Sequence, residues 1–408
     1  MSFGRTKPLD VSFSAFFYFC NMFSFFKKKE YKLTPIQELL LALLRAQLWL
    51  KPVDEIVLPS TPEEWDELIN LGYKQTVICF IAKACLRHPD VDHIPTEIKD
   101  EFEAVLEENK RIHEHHNAVL IELITKFEEQ GLHPILLKGQ GIAQMYPEPE
   151  LRQCGDIDIY FRNEEYELAK SFMLTIEDCL EKRQKEKYHH FESKYKGIIV
   201  EVHRHTARIP NPFANKRYLK FEEDEMKHSS EITIERHNVF IPSPLFNMVS
   251  VFVHMWYHFE NKGVSLRQMC DVMMMMFFYK GIIPSLNLNG TARRLSFSLP
   301  WQVSNCVFKE RLGLLPCNSS FDDEIKYRAN AMLKIIFNDG AFNYGKYKNK
   351  YDNLDCIRRH IVIHLDGYCE FRKVYPVTGV RIWWSYAAFK RFVSYRFLCF
   401  LIQNKKKE

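Results

Sequence analysis

The chain has 408 residues, 46% of them hydrophobic and 14% aromatic, enough for two or three ordinary domains and inconsistent with a disordered chain. A formal net charge of +4 is compatible with an anionic ligand but far too small to indicate a nucleic-acid-binding protein. Eleven cysteines occur without a CxxC or a Cys/His ladder, the pattern of reduced, mostly buried thiols in a cytosolic protein.

Val11–Phe26 is rich in Phe and is followed by Lys27-Lys28-Lys29-Glu30. It contains Ser12, Ser14, Asn21 and Ser24, which makes it short and polar for a spanning helix. Lysines stand where a signal peptide carries small residues for cleavage. A disordered extension over residues 1–30, or a chain starting at Met22, is favoured over a weak surface contact with a membrane, because no amphipathic period is clear. No transmembrane segment and a cytoplasmic location are expected.

Residues 31–130 read as helical. Thr34-Pro35-Ile36-Gln37 combines an N-cap Thr, Pro at the first helical position and Gln three residues on, before the stripe Leu39, Leu40, Leu43, Leu44, Leu48. Thr61-Pro62-Glu63-Glu64 repeats that start, and Gly72 is expected to close the helix. A further helix is expected over Thr76–Leu86, and a long one over Glu97–Gln130, stopped by Gly131. His113, His115 and His116 lie in the long helix and read as a solvated face, since consecutive helix positions diverge.

Residues 131–241 carry the mixed α/β pattern. Strands are expected at Ile135–Leu137 and Ile157–Phe161, a short helix from Gly139 to near Tyr146, and an amphipathic helix over Asn163–Leu180. Two further strands, Tyr188–Ser193 and Ile198–Arg204, turn at Tyr195-Lys196-Gly197, and Glu231–Ile241 reads as a second hairpin turning at His237-Asn238. Residues 242–402 return to helix: from Pro242-Ser243-Pro244 to about Phe259, then Val264–Tyr279, Asp322–Phe337, Leu354–His364 and Trp383–Ile402, with Met273–Met276 as buried filler. Asn318–Asp323 and Asn338–Asn353 read as polar loops, and residues 403–408 as a solvated tail. The fold class is therefore α+β: a small mixed sheet flanked by N-terminal and C-terminal helical regions.

The chemistry-bearing stretch is Pro134–Phe161. An apolar run ends in Lys138-Gly139, and a second carries Asp156 and Asp158 after Gly155. Side chains two apart on a strand share a face, so the two carboxylates project together while Ile157 and Ile159 turn to the core. Adjacent carboxylates repel unless a cation sits between them, and Mg²⁺ (or Mn²⁺) is hard, oxygen-seeking and commonly shared with substrate phosphates. An acidic pair at this spacing is weak on its own: 52 acidic residues in 408 produce roughly six or seven by chance. The apolar strand, the preceding glycine and the upstream Lys-Gly give it weight. Glu201 and His203 share one face of the strand Ile198–Arg204. Taken by itself, Glu201 reads as an edge-strand charge paired with Lys196 or Arg204. Arg152 is either a phosphate ligand or a loop arginine bridging Glu148 or Glu150. His254 and His258 share a helix face and read as core packing in preference to zinc, since HMWYH lacks the Glu of a zinc protease. Arg267 and Asp271, also four apart, either pair or line a cleft.

These residues resemble the uncharacterised nucleotidyltransferase family of the DNA polymerase beta-like superfamily. The matching positions are Leu137-Lys138-Gly139, Tyr146-Pro147, Arg152, Asp156-Ile157-Asp158-Ile159, Val200-Glu201-Val202-His203-Arg204, and His254, His258, Arg267 and Asp271, within roughly residues 100–280. The resemblance implies a nucleotidyltransferase-type core that transfers a nucleotidyl group from a nucleoside triphosphate with divalent metal. Asp156, Asp158 and Glu201 would be the metal ligands, with Lys138, Gly139 and Arg152 at the phosphates, and His203 would orient Glu201, bond a phosphate or sit as a satisfied core histidine. Gly139, lacking Cβ, would let backbone N–H groups approach the triphosphate. Gln140 stands where better-known relatives carry Ser, and Gly139 and Asp156 are farther apart than in the compact motif. The acceptor stays open, and nucleic acid is not favoured as a partner. The rivals are a toxin-like enzyme modifying transfer RNA and a non-catalytic nucleotide-binding protein that keeps the fold.

Overall fold

In the computed structural model of the protein, the described residues are 32–176, 185–186, 190–209, 211–261, 263–314, 320–340, 371 and 373–375. All but Lys32 belong to one unit, Leu33–Glu408. The Val11–Phe26 segment, the helices expected at Leu354–His364 and Trp383–Ile402 and the Lys-rich tail lie outside the described residues, as do most of the loop Asn338–Asn353 and the ends Glu177–Leu180 and Tyr188–His189 of two expected elements.

Helix α1 (Pro35–Leu48) begins as its sequence dictates. The Gln37 N–H donates to Thr34 Oγ1 at 3.2 Å, and the Thr34 N–H donates to Gln37 Oε1 at 3.1 Å. Leu40, Leu41, Leu43 and Leu44 are fully buried. Helix α2 (Pro62–Lys74) starts with the same box on Thr61 and Glu64. It does not end at Gly72, as expected, but continues to Lys74. A Cβ at Gly72 would lie 2.9 Å from Ile78 Cδ1, so this glycine serves close packing against α3 (Ile78–Leu86) and not chain reversal. Helix α4 (Thr96–Glu129) stops before Gly131, whose φ of +73° suits the expected C-terminal glycine.

The sheet takes the order β1-β2-β5-β4-β3. Its strands are β1 (Ile135–Leu137), β2 (Asp156–Tyr160), β3 (Lys185–Glu186), β4 (His190–Tyr195) and β5 (Ile198–His203). Helix α5 (Gly139–Ala143) follows β1, and α6 (Asn163–Thr175) follows β2. The central pair β2–β5 is parallel and aligns Asp158 with Glu201 and Tyr160 with His203. The β4–β5 hairpin is antiparallel and aligns His190 with His203. Ile157, Ile159, Val200 and Val202 are buried on the face turned away from the acidic side chains. Phe127 of α4 packs edge-on against Phe161 at 4.8 Å and against Phe172 of α6 at 5.5 Å.

Helix α7 (Pro212–Glu225) leads to a second hairpin, β6 (Ser229–Ile234) and β7 (His237–Pro242). Its turn is Glu235-Arg236 and not His237-Asn238. Glu235 takes the positive φ, +55°, while Asn238 stays in the ladder, with its side chain meeting Thr233 and Glu231. Ser243 Oγ accepts the Phe246 N–H at the start of α8 (Pro244–Asn261). Trp256 on this helix donates its indole N–H to Glu260 at 2.9 Å. Helix α9 (Leu266–Phe278) follows, with Met273, Met274 and Met275 buried as expected. Helices α10 (Leu288–Arg294), α11 (Ser298–Cys306) and α12 (Asp323–Asp339) complete the described chain. Gln75 ties three helices together: its Oε1 accepts the Leu266 N–H and its Nε2 donates to the Ile336 carbonyl. Among the described residues Cys79, Cys85, Cys270 and Cys306 are buried free thiols, and Cys154 is half-buried. No single described helix is long and apolar enough to cross a membrane.

Candidate active site

Alternation along β2 and its parallel register with β5 bring three carboxylates together. Asp156 opens the strand and is exposed, Asp158 is buried, and Glu201 stands beside Asp158 on the next strand. Each offers one oxygen, and the three lie within 4.8 Å of one another. The charge of Asp158 is the main cause that pushes the Asp156 carboxyl above its usual range. Burial pushes Asp158 the same way. The Lys138 ammonium and the His203 hydrogen bond outweigh it, and hold Asp158 well below the ordinary carboxylate range. Lys138 Nζ is 2.9 Å from Asp158 Oδ1.

Lys138 and Gly139 form the corner between β1 and α5, with φ of +44° and +45°. Two successive residues in this region turn the chain sharply enough to set the lysine over the carboxylates. A side chain is disfavoured at both positions, and at Lys138 it is present nonetheless.

His203, buried at 2% exposure, donates from Nε2 to Asp158 Oδ1 at 2.8 Å and lies 3.2 Å from Glu201 Oε2. Burial works against its protonation, but bonds to the two carboxylates raise its pKa to about 9. His190 was not anticipated from the sequence. Its Nε2 lies 3.2 Å from Glu201 Oε1, and its ring is 4.9 Å from that of His203. The signal was available, because the expected turn at Tyr195-Lys196-Gly197 pairs Tyr195 with Ile198 and so pairs position 190 with 203. Glu201 is not an edge-strand charge, since β5 lies inside the sheet. Lys196 pairs with Glu122 and Arg204 with Glu167, leaving Glu201 among the histidines.

Arg152 does not bridge Glu148 or Glu150. Its guanidinium is buried and bonds Asp271 twice, Nε to Oδ1 at 2.8 Å and Nη2 to Oδ2 at 2.9 Å. The Tyr146 hydroxyl donates to the same Oδ1 at 2.8 Å. Burial opposes the charge on Asp271, yet the arginine holds its carboxyl below the usual range. Glu148 meets Gln47 and Lys83 instead. Arg267 reaches Asp271 only at 3.9 Å and also donates to Thr76 Oγ1.

The sheet face, α8 and α9 enclose a cavity of about 460 Å³. Lys138, Gly139, Arg152, Asp156, Asp158, Glu201 and His203 line it from the core side, and His254, His258, Arg267 and Asp271 from the helical side. The rings of His254 and His258 sit 4.5 Å apart. Burial, and then the nearby Lys138 charge, push His254 well below the ordinary histidine range.

The three histidines of α4 are not all on a solvated face. His113 and His116 are buried, and only His115 is exposed. His116 Nε2 meets the Gly155 carbonyl at 3.2 Å, and Gln140 donates to Asn117 Oδ1, so this helix braces the two loops that carry the carboxylates and Lys138. None of the three belongs to a metal-capable cluster among the described residues.

Residues 61–312 match the family described as "uncharacterised nucleotidyltransferase". No curated protein matches the chain. Among solved structures, an antigenic nucleotidyltransferase-like protein from Paracoccidioides brasiliensis is similar at 11% identity, over 48% of this chain and 92% of that one, with a TM-score of 0.33. So distant a likeness carries no argument for this chain.

Proposed function

Because the match over residues 61–312 makes this chain a member of the uncharacterised nucleotidyltransferase family, we propose that it transfers a nucleoside monophosphate from a nucleoside triphosphate to a hydroxyl acceptor, releasing pyrophosphate. The observation that carries this reading is the convergence of Asp156, Asp158 and Glu201 on one sheet face. An all-oxygen, anionic donor set suits Mg²⁺ or Mn²⁺, and the upward push on Asp156 is the mark of a cluster that lacks enough positive charge. When bound there, a divalent cation supplies positive charge to the attacking and leaving oxygens of an in-line displacement.

The chain's own residues do the remaining work. Lys138 holds its ammonium 2.9 Å from Asp158, and within the cavity it neutralises charge on the departing phosphates. Gly139 keeps the corner free of a side chain, so that phosphate oxygens approach the backbone. Glu201 accepts the proton of the acceptor hydroxyl, and His203 orients it from 3.2 Å. Arg152, with Asp271, fixes the wall of the cavity and presents its edge to the phosphates.

The test is pyrophosphate release by the purified protein with Mg²⁺, each nucleoside triphosphate and a host extract as acceptor source. Release that disappears in Asp156→Asn supports the reading. No release from any triphosphate, or equal release from the variant, overturns it. Label recovered in RNA would identify an RNA acceptor.

A further inference from the structure

We propose that His190, Glu201 and His203 form a binding site for a nitrogen-accepting divalent ion of the Zn²⁺ or Co²⁺ type, a donor set different from the three carboxylates with which it shares Glu201. The two imidazoles aim the same atom, Nε2, at opposite oxygens of one carboxylate, each at 3.2 Å. Around a tetrahedral ion with donors at 2.0–2.1 Å, neighbouring donors stand about 3.3 Å apart. One ligand atom from each residue falls within 4.8 Å of the others. The two nitrogen–oxygen distances are therefore already near coordination spacing, and a small rotation of the carboxylate would offer one oxygen to both nitrogens.

The backbone enforces this. His190 and His203 face each other across the antiparallel β4–β5 pair, and Glu201 is two residues from His203 on the same face. Both histidines are buried, at 4% and 2% exposure, so they do not wander among rotamers in water. The other ring nitrogen of His203, Nδ1, lies 3.3 Å from the His205 carbonyl. A backbone carbonyl at that nitrogen is the usual way a protein commits the opposite nitrogen to a metal. All three residues line the cavity, so a fourth position opens to water or to a substrate oxygen.

Donor chemistry separates the two sets. Imidazole suits Zn²⁺, Co²⁺ and Ni²⁺, whereas Mg²⁺ keeps to oxygen. Glu201 thus sits between an oxygen-only cluster on the β2 side and a mixed nitrogen–oxygen cluster on the β4 side. Nothing here requires nucleotidyl transfer, and a protein without that activity can still hold the ion. The rival arrangement is a hydrogen-bonded network in which His203 is shared by Asp158 and Glu201 without metal, the Asp158 contact being 2.8 Å.

The experiment is titration of the chelator-treated full chain with Co²⁺, read by visible absorption. One equivalent is expected to give the intense bands of a four-coordinate ion, and these are expected to survive a large excess of Mg²⁺. The bands should vanish in His190→Ala, shown folded by circular dichroism, and persist in Asp156→Asn. X-ray absorption on the zinc-loaded wild-type protein needs no variant and should report two imidazoles on the metal. A weak six-coordinate spectrum, displacement by Mg²⁺, bands unchanged in folded His190→Ala, or an all-oxygen shell in the absorption experiment each overturns the proposal.

Discussion

Asp156 and Asp158 are two residues apart and live in opposite electrostatic surroundings. Asp158 has Lys138 and His203 on it, while Asp156 has chiefly Asp158's charge. A carboxyl whose folded pKa is raised contributes stability below its unfolded pKa and loses it as pH rises through the folded value. In chelator at neutral pH, Asp156→Asn is therefore expected to raise the denaturation midpoint, and in a separate assay with Mg²⁺ to remove pyrophosphate release; a lower midpoint with full Mg²⁺-supported activity would contradict both assignments. Glu201→Gln is expected to keep triphosphate binding and to lose about a hundred- to ten-thousandfold in turnover, the range of general-base assistance, as single-turnover kinetics can measure. Gly139→Val places a β-branched side chain at φ +45° beside the Asp156 carbonyl. Calorimetry on the folded variant is expected to show triphosphate binding abolished. Most of these residues were legible in the sequence, because strand alternation alone sets Asp156 with Asp158 and Glu201 with His203. His190 was hidden only by a register not carried through from the turn. The Arg152–Asp271 pair was not legible, since its members lie 119 positions apart and no local rule joins them.

Elements were read well wherever a local rule decides their ends. The Thr-Pro starts of α1 and α2 and the Gly131 stop of α4 need only neighbouring residues to work. Gly72 and the β6–β7 turn misled because their reasons are tertiary or lie in backbone strain. One glycine makes room for Ile78, and a glutamate takes a positive φ that Asn238 was expected to take. His113 and His116 of α4 were misjudged for a related reason, since that side of their helix is covered by the loops it supports, whereas His115 is exposed as expected. Two predictions belong at this scale. Asp271→Asn leaves the buried Arg152 guanidinium short of a countercharge and is expected to cost about 3–5 kcal/mol in urea unfolding. Glu260 on α8 is raised by burial to a pKa of about 7, despite the Trp256 hydrogen bond. Its raised value makes it stabilising at low pH, with that stability lost between the unfolded carboxylate range and pH 7. Glu260→Gln is then expected to match wild type near pH 4 and to be about 1–3 kcal/mol more stable above pH 7.5. A difference that grew toward acid would refute it.

At the scale of the whole molecule, the stretch matching the family is not a free-standing body. Helix α1 lies outside residues 61–312, yet it buries a leucine face on the helices that follow. Trp49 and Arg45, also outside that stretch, donate to the carbonyls of Leu312 and Arg311 at its far end. A chain cut to residues 61–312 is expected to be insoluble or to unfold without cooperativity, where one from residue 33 onward melts in a single transition. The Arg152–Asp271–Tyr146 junction reaches further still. It joins the sheet half of the cavity to the helical half through a buried, two-point charge pair and a tyrosine hydroxyl that all meet on one carboxylate. With its two walls joined in this way, the proposed transferase would work with a fixed gape, admitting only substrates slim enough for the mouth it already has, and spin labels on α9 and β4 should hold one separation whether or not nucleotide is present.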